Sequence, residues 1–127
     1  MRRSLCVALS ILILSSTVPV FACLQSHGKS EKDKQVADRI CKVFNGIPSI
    51  LMMSVQETIL YVDISRDFYD EMMRDKLSAI KMVKIWMQGM RKESGEQIVT
   101  VWVYVDKIKV IEGNTSWTGE DKIKFLL

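Results

Sequence analysis

The chain has 127 residues, of which 48% are hydrophobic and 26% are charged, and its formal net charge is +3. This composition is typical of a folded globular protein and excludes a disordered chain. Two of the basic residues belong to the first 22 positions, so residues 23–127 carry 16 basic and 15 acidic side chains. That near-neutral balance gives no support to nucleic-acid binding, which requires a basic surface.

Residues 1–22 have the order of features that defines a secretory signal peptide. Arg2 and Arg3 form a positive start, an almost wholly apolar stretch runs from 5 to 18, and Pro19 ends it. The apolar stretch is shorter than the roughly 20 residues that a membrane-spanning helix needs. We therefore expect residues 1–22 to be a cleaved signal peptide and the protein to be exported.

Cys23 follows this segment directly. Val20 and Ala22 match the outer and inner positions of the motif before the cysteine, so the leader resembles that of bacterial lipoproteins. The resemblance implies that Cys23 carries a lipid, which would anchor the protein to a membrane facing the periplasm or the cell exterior. The alternative is an ordinary signal-peptidase cut, which leaves Cys23 free to form a disulfide with Cys41 in a periplasmic or secreted protein.

The segment after the leader begins with polar residues and continues with apolar residues at a regular spacing. Residues 23–30 lack apolar periodicity and are expected to form a polar tether. Ser30 is a good N-cap, and the apolar residues after it recur at helical spacing, which predicts a helix that includes Cys41. Asn45 and Gly46 are expected to end this helix.

Strand and helix patterns follow in turn. In "SILMMSV" and "TILYVDI" the apolar residues predict one or two strands, with alternation over 59–64. A single long helix is predicted from Ser65 or Asp67 to Glu93, and its apolar residues lie on one broad face. "QIVTVWVYV" predicts a strand that is apolar on both faces, and "KIKVIEG" extends it or returns beside it. The chain from about 114 is expected to be a loosely attached tail.

These elements predict one small two-layer domain of the α+β class over residues 31–127. Two helices, one of them long, are expected to pack on a mainly antiparallel sheet of three to four strands.

Catalytic motifs are missing from the sequence. The one histidine, His27, falls in the predicted tether, and no HExxH, CxxC, P-loop or GxSxG pattern occurs. Asp63 and Asp67 flank the start of the long helix, where we favour capping over a functional carboxylate pair. We therefore predict no catalytic residues and no cofactor, and an enzyme that uses carboxylates or a thiol is a minor alternative.

Methionine is frequent, with eight residues in the chain. Exported proteins can bind copper(I) through thioethers, so a metal-handling protein is a further alternative. Met72, Met73, Met87 and Met90 coincide with the apolar face of the long helix, however, where methionine is ordinary core. No metal site is predicted.

Two surfaces are candidates for contact with other molecules. A narrow stripe of small and apolar residues lies opposite the core face of the long helix, and either the C-terminal tail covers it or it binds a partner or a second copy. The stripe consists of Ser78, Met82, Ile85 and Gly89.

The second candidate surface is aromatic. Tyr61, Trp102 and Tyr104 are expected to lie together on one face of the sheet. No basic residue alternates with them in the two strands, so we favour packing beneath the helices over ligand binding.

The sequence thus predicts a small exported protein of the bacterial envelope that is a lipoprotein if Cys23 is modified. It is expected to be a non-catalytic binding or structural module, with an envelope protein or a second copy as its partner. The membrane is contacted only through the lipid, and no nucleic acid is bound.

Overall fold

The computed structural model describes Cys23, residues 25–44 and residues 49–126. The predicted signal peptide and the predicted helix end at Asn45 and Gly46 lie outside the described residues. The elements in chain order are β1 (Gln25–Gly28), α1 (Glu31–Val43), β2 (Ile50–Gln56), β3 (Ile59–Ile64), α2 (Arg66–Arg74), α3 (Lys76–Ser94), β4 (Thr100–Val105), β5 (Ile108–Thr115) and β6 (Asp121–Phe125).

The strands form one sheet in the order β1-β2-β3-β4-β5-β6, which is also their order in the chain. β1 pairs with β2 and β3 with β4 in parallel, and the other three pairs are antiparallel. The α+β class is confirmed. The predicted two helices on a mainly antiparallel sheet of three to four strands are wrong, because the described residues form three helices and a six-stranded mixed sheet.

The strands that were not predicted from the sequence are the two edge strands, β1 and β6. β1 lies in the segment predicted to be a tether, and it is short and polar because only one side of it meets a helix. β6 lies in the predicted loose tail, where Lys122 and Lys124 hide the alternation of Ile123 and Phe125, which pack against the core. Lysines on an edge strand discourage pairing with other chains, so a polar sequence is what such a strand requires.

The single long helix of the prediction is two helices. Asp75 separates them with φ −138° and ψ 83°, and its carboxylate accepts a hydrogen bond of 3.2 Å from the backbone N–H of Ser78. An aspartate that caps a new helix competes with continuation of the old one. The charged residues of this region do not indicate that the helix is interrupted at Asp75.

The core lies between the helices and one face of the sheet. α1 begins at the predicted cap, where the Ser30 hydroxyl accepts from Asp33 N–H at 3.1 Å. The strands contribute alternate residues to the core, and α3 contributes the largest buried side chain, Trp86. The α3 helix lies close to the sheet, since a Cβ at Gly113 would be 2.9 Å from Val83 Cγ1.

Both crossover connections place their helices on this one face of the sheet, and both move in the same direction across it. β1 and β2 run opposite to β3 and β4. The β1–α1–β2 and β3–α2–α3–β4 crossovers therefore have opposite hands. Only one of the two crossovers is therefore right-handed, which is the usual hand for a connection between parallel strands.

Candidate functional site

The sheet face turned away from the helices, here called the open face, is not covered by any described part of the chain. Its central row is set by the strand register, and each strand contributes one residue: His27, Ser54, Tyr61, Trp102, Glu112 and Lys124. The row is polar at both ends and aromatic in the middle.

Three aromatic side chains form the centre of the open face. The rings of Tyr61 and Trp102 meet edge to face with centroids 5.3 Å apart, and those of Tyr61 and Tyr104 stack at 6.3 Å. The three residues lie together as predicted, but the expectation that they pack beneath the helices is wrong. The valines of β4 take the helix side instead. Because both faces of β4 are apolar, its alternation did not show which face the helices cover.

A polar network covers one side of this aromatic centre. Lys109 Nζ lies 4.2 Å from the Trp102 ring centroid and 3.0 Å from Glu112 Oε1. The Asn114 amide donates to Glu112 at 2.7 Å, and the Thr100 hydroxyl donates to Asn114 at 3.0 Å. The hydrogen bond from Asn114, followed by that from Lys109, holds the pKa of the Glu112 carboxyl below its usual range. Lys109 and Glu112 are thus paired with each other within the chain.

On the other side of the aromatic centre, the Asp63 carboxylate has no such partner. It is half-buried and lies opposite Tyr104 in the strand register, and it makes no hydrogen bond or ion pair with a described residue. Burial raises the pKa of this carboxyl. The predicted role at the helix start is wrong for Asp63, because the Ser65 hydroxyl accepts from Phe68 N–H there, whereas Asp67 lies in the first turn of α2.

A shallow groove of about 510 Å³ surrounds this carboxylate. Its wall combines ring surfaces with a thioether, a hydroxyl and an amide. The lining residues are Met52, Ser54, Gln56, Tyr61, Asp63, Tyr104 and Lys107.

The two cysteines singled out in the sequence are in contact. A disulfide joins Cys23 to Cys41 of α1, with Cα atoms 5.4 Å apart. A sulfur atom held in a disulfide cannot also carry a thioether-linked lipid, so the two predicted states of Cys23 exclude each other in one molecule.

The predicted stripe on α3 is divided between two places. Ser78 and Met82 line a pocket against α2, and Met82 packs on the core. Ile85, which is 49% exposed, and Gly89 line a groove of about 370 Å³ between α1 and α3. The two halves of the stripe thus line two different pockets of the helix layer.

Neither a cluster of metal ligands nor a membrane-spanning helix occurs among Cys23, residues 25–44 and residues 49–126. This part of the chain holds no group of three or more His, Cys, Asp or Glu side chains placed to bind a metal ion. Its helices include none that is long and apolar enough to cross a membrane. His27 lies on β1, where its Nε2 is 3.2 Å from Gln25 Oε1.

The sequence of β3 contains one indication of the open face. Ile59, Tyr61 and Asp63 alternate with buried residues of β3, so an acidic residue had to follow the aromatic one on the same face. Comparison of the chain with protein-family models, with curated proteins and with solved structures finds no significant match.

Proposed function

We propose that the protein is an exported, non-catalytic binding module that engages a protein of the cell envelope through its open face. The observation that carries this proposal is the aromatic cluster of Tyr61, Trp102 and Tyr104 at the middle of a sheet face that no described segment covers. Tyrosine and tryptophan are enriched where proteins bind one another, because they bury a large area with little loss of side-chain entropy.

A two-layer fold leaves one sheet face to be covered by solvent or by another molecule. Here the solvent-facing rows contain partly buried aromatic rings rather than the fully polar side chains of a face that only meets water. The polar groups around the rings supply the rim that binding surfaces usually have.

Export rests on the leader-like residues 1–22, and for Cys23 we propose the disulfide over the lipid. The protein would then be soluble in the periplasm or secreted after signal-peptide removal. The measurement is the intact mass of the mature protein from its own host. A mass lower than that of the reduced chain by the hydrogens lost on oxidation supports the disulfide, and a diacylglycerol adduct on Cys23 overturns it.

The binding surface is tested by photo-cross-linking in the cell envelope. A photoreactive amino acid replaces Tyr61 on the open face, Lys84 on the solvent side of α3, or Ile85 in the groove between α1 and α3. We expect a discrete adduct from position 61 and none from position 84. Adducts from position 85 alone would assign binding to the helix layer and overturn the proposal.

A further inference from the structure

We propose that the open face contains a binding site for an organic ammonium group, centred on Asp63 beside the rings of Tyr61 and Tyr104. This inference rests on the proposed function, since the lysine side chain of a protein partner is the commonest source of such a group. It adds the chemistry of the ligand and the residues that would recognise it.

The two carboxylates on the open face differ in whether they have partners among the described residues. Glu112 is held by Lys109 and Asn114, whereas Asp63 has no hydrogen-bond or ionic partner among the described residues. A half-buried carboxylate without a partner has lost hydration and gained nothing in exchange within the chain. A cation from outside the chain would supply the missing interaction.

Two tyrosine side chains lie beside the Asp63 carboxylate. Tyr104 is opposite Asp63 in the register of β3 and β4, and Tyr61 is two residues away on the same strand face. The two tyrosine rings stack at 6.3 Å with an interplanar angle of 30°. Aromatic rings attract cations through their electron-rich faces, and recognition of ammonium groups commonly combines such rings with a carboxylate.

The size and lining of the groove favour an alkylammonium group over a metal ion. Its volume of about 510 Å³ is open to solvent and suits a side chain or a small amine. A hard metal ion would require several oxygen ligands, and the groove has a single carboxylate. Met52 and the rings offer apolar contact to an alkyl stem, so an alkylammonium group fits better than a bare ion.

Lys107 is the one lysine among the residues that line this groove. It lines the groove from the turn between β4 and β5, and it forms no ion pair with Asp63. The positive charge of Lys107 at the groove repels an external ammonium group, so Lys107→Ala should bind amines more tightly than the wild type.

The test is a titration of the folded protein with n-butylammonium and with a lysine-containing peptide, followed by NMR shifts of Tyr61 and Tyr104. We expect saturable binding in the millimolar range and at least about a tenfold loss of affinity in Asp63→Asn. Glu112→Gln is the matched control, because it removes the same charge from the same face, and it should bind as the wild type does. Equal affinity of Asp63→Asn and wild type, or equal losses in both variants, would overturn the site.

The two proposals fail in different ways. If position 61 cross-links a partner equally in wild type and in Asp63→Asn, the open face binds protein but the ammonium site is wrong. If position 61 gives no adduct while n-butylammonium still binds through Asp63, the site stands and its ligand is a small amine. Tighter binding of the lysine peptide than of n-butylammonium supports a polypeptide source.

Discussion

Gly28 and Gly89 both lie against α1, but only Gly28 needs to be glycine. A Cβ at Gly28 would overlap the backbone of Lys34, so the close approach of β1 to the start of α1 requires a residue without a side chain. At Gly89 in the middle of α3, a Cβ would lie 3.9 Å from Ile40 Cγ2, which is an ordinary contact. Backbone atoms cannot move aside as a flexible side chain can, so the two positions should respond oppositely to alanine.

We expect Gly28→Ala to lower the free energy of unfolding by about 2 kcal/mol or more, because the overlap forces β1 away from α1. Gly89→Ala should raise it by about 0.5–1 kcal/mol, because alanine restricts the unfolded chain and favours a helix. Urea unfolding of the two variants and the wild type measures both changes. Destabilisation of similar size in both variants would contradict the close packing at Gly28.

Asp63 makes stability depend on pH in the opposite sense to a paired carboxylate. Burial raises the pKa of its carboxyl in the folded state above the ordinary value of 3.8, so the folded protein holds this proton more tightly than the unfolded chain does. Its contribution to stability therefore falls as pH rises from about 3.8 through the folded pKa, and stays low above it. Asp63→Asn should remove that fall and be at least as stable as the wild type at neutral pH, as measured by urea unfolding at a series of pH values.

Asp38 is the control for this experiment. A hydrogen bond from the Ser26 hydroxyl, which ties β1 to α1, lowers the pKa of the Asp38 carboxyl below 3.8. Its stabilising effect is present above the unfolded pKa and is lost as pH falls through the folded pKa. Asp38→Asn should therefore be less stable than the wild type at neutral pH. A loss of stability in Asp63→Asn as well would show that Asp63 has a stabilising partner.

At the scale of elements, side-chain bridges attach the two edge strands to the helices. β1 is held by the Cys23–Cys41 disulfide and the Ser26–Asp38 hydrogen bond. β6 is held by Arg91 of α3, which forms an ion pair with Asp121. Both edge strands contain more polar residues than the central strands do, so these bridges add to the few apolar contacts that the edge strands make.

We expect Arg91→Met to lower the free energy of unfolding by about 2 kcal/mol, because Asp121 is left half-buried and unpaired. The bonds from Arg91 to Thr115 Oγ1 (3.0 Å) and the Gln97 carbonyl (2.9 Å) are lost as well. Hydrogen exchange should accelerate first in β6, and this is the measurement that locates the effect.

The matched control is the surface ion pair between Arg66 and Asp106, whose side chains are 56% and 66% exposed, against 20% and 16% for Arg91 and Asp121. Arg66→Met should change stability by less than about 1 kcal/mol, because water screens an exposed pair. Equal effects of the two substitutions would mean that burial of the Arg91 pair adds nothing.

Reduction of the disulfide should lower the free energy of unfolding by about 3 kcal/mol, because it restores the freedom of a loop between residues 18 apart. The midpoint of urea unfolding with and without reductant measures this loss. The double variant Cys23→Ser, Cys41→Ser should be as unstable as the reduced protein and should not respond to reductant. If the midpoint of urea unfolding of the wild type does not change when reductant is added, the Cys23–Cys41 disulfide is contradicted.

The elements that could be read from the sequence are those in which local pattern and tertiary environment agree. Ser30 caps α1 because a hydroxyl beside free N–H groups is a local interaction, and β3 and β4 follow from alternation over a buried sheet. β1, β6 and the break at Asp75 depend on contacts with distant residues, and these leave little trace in the local pattern. The open face was hidden for the same reason, since Trp102 and Val103 are both apolar and only the helix positions decide which of them is covered.

At the scale of the whole molecule, all three helices of the described chain lie on one side of the sheet. The helix layer closes the core, and the other side of the same strands is left to present the aromatic centre, the paired Lys109–Glu112 network and the unpaired Asp63. Under the proposed function, one face of the sheet supplies stability and the other supplies recognition. Substitutions on the open face can therefore be tested for binding with little risk to the core.

The order of the strands in the sheet has a further consequence for how the chain matures. A polypeptide that emerges N-terminus first, from a ribosome or a translocation channel, can lay each new strand beside the last without reserving a gap for a later one. Among the described elements the disulfide-closed β1–α1 unit precedes all the others, and each later strand joins the sheet on the same side of the preceding strand. We expect this topology to permit folding during synthesis, and the lysines of β6 to discourage pairing of its outer edge with other chains.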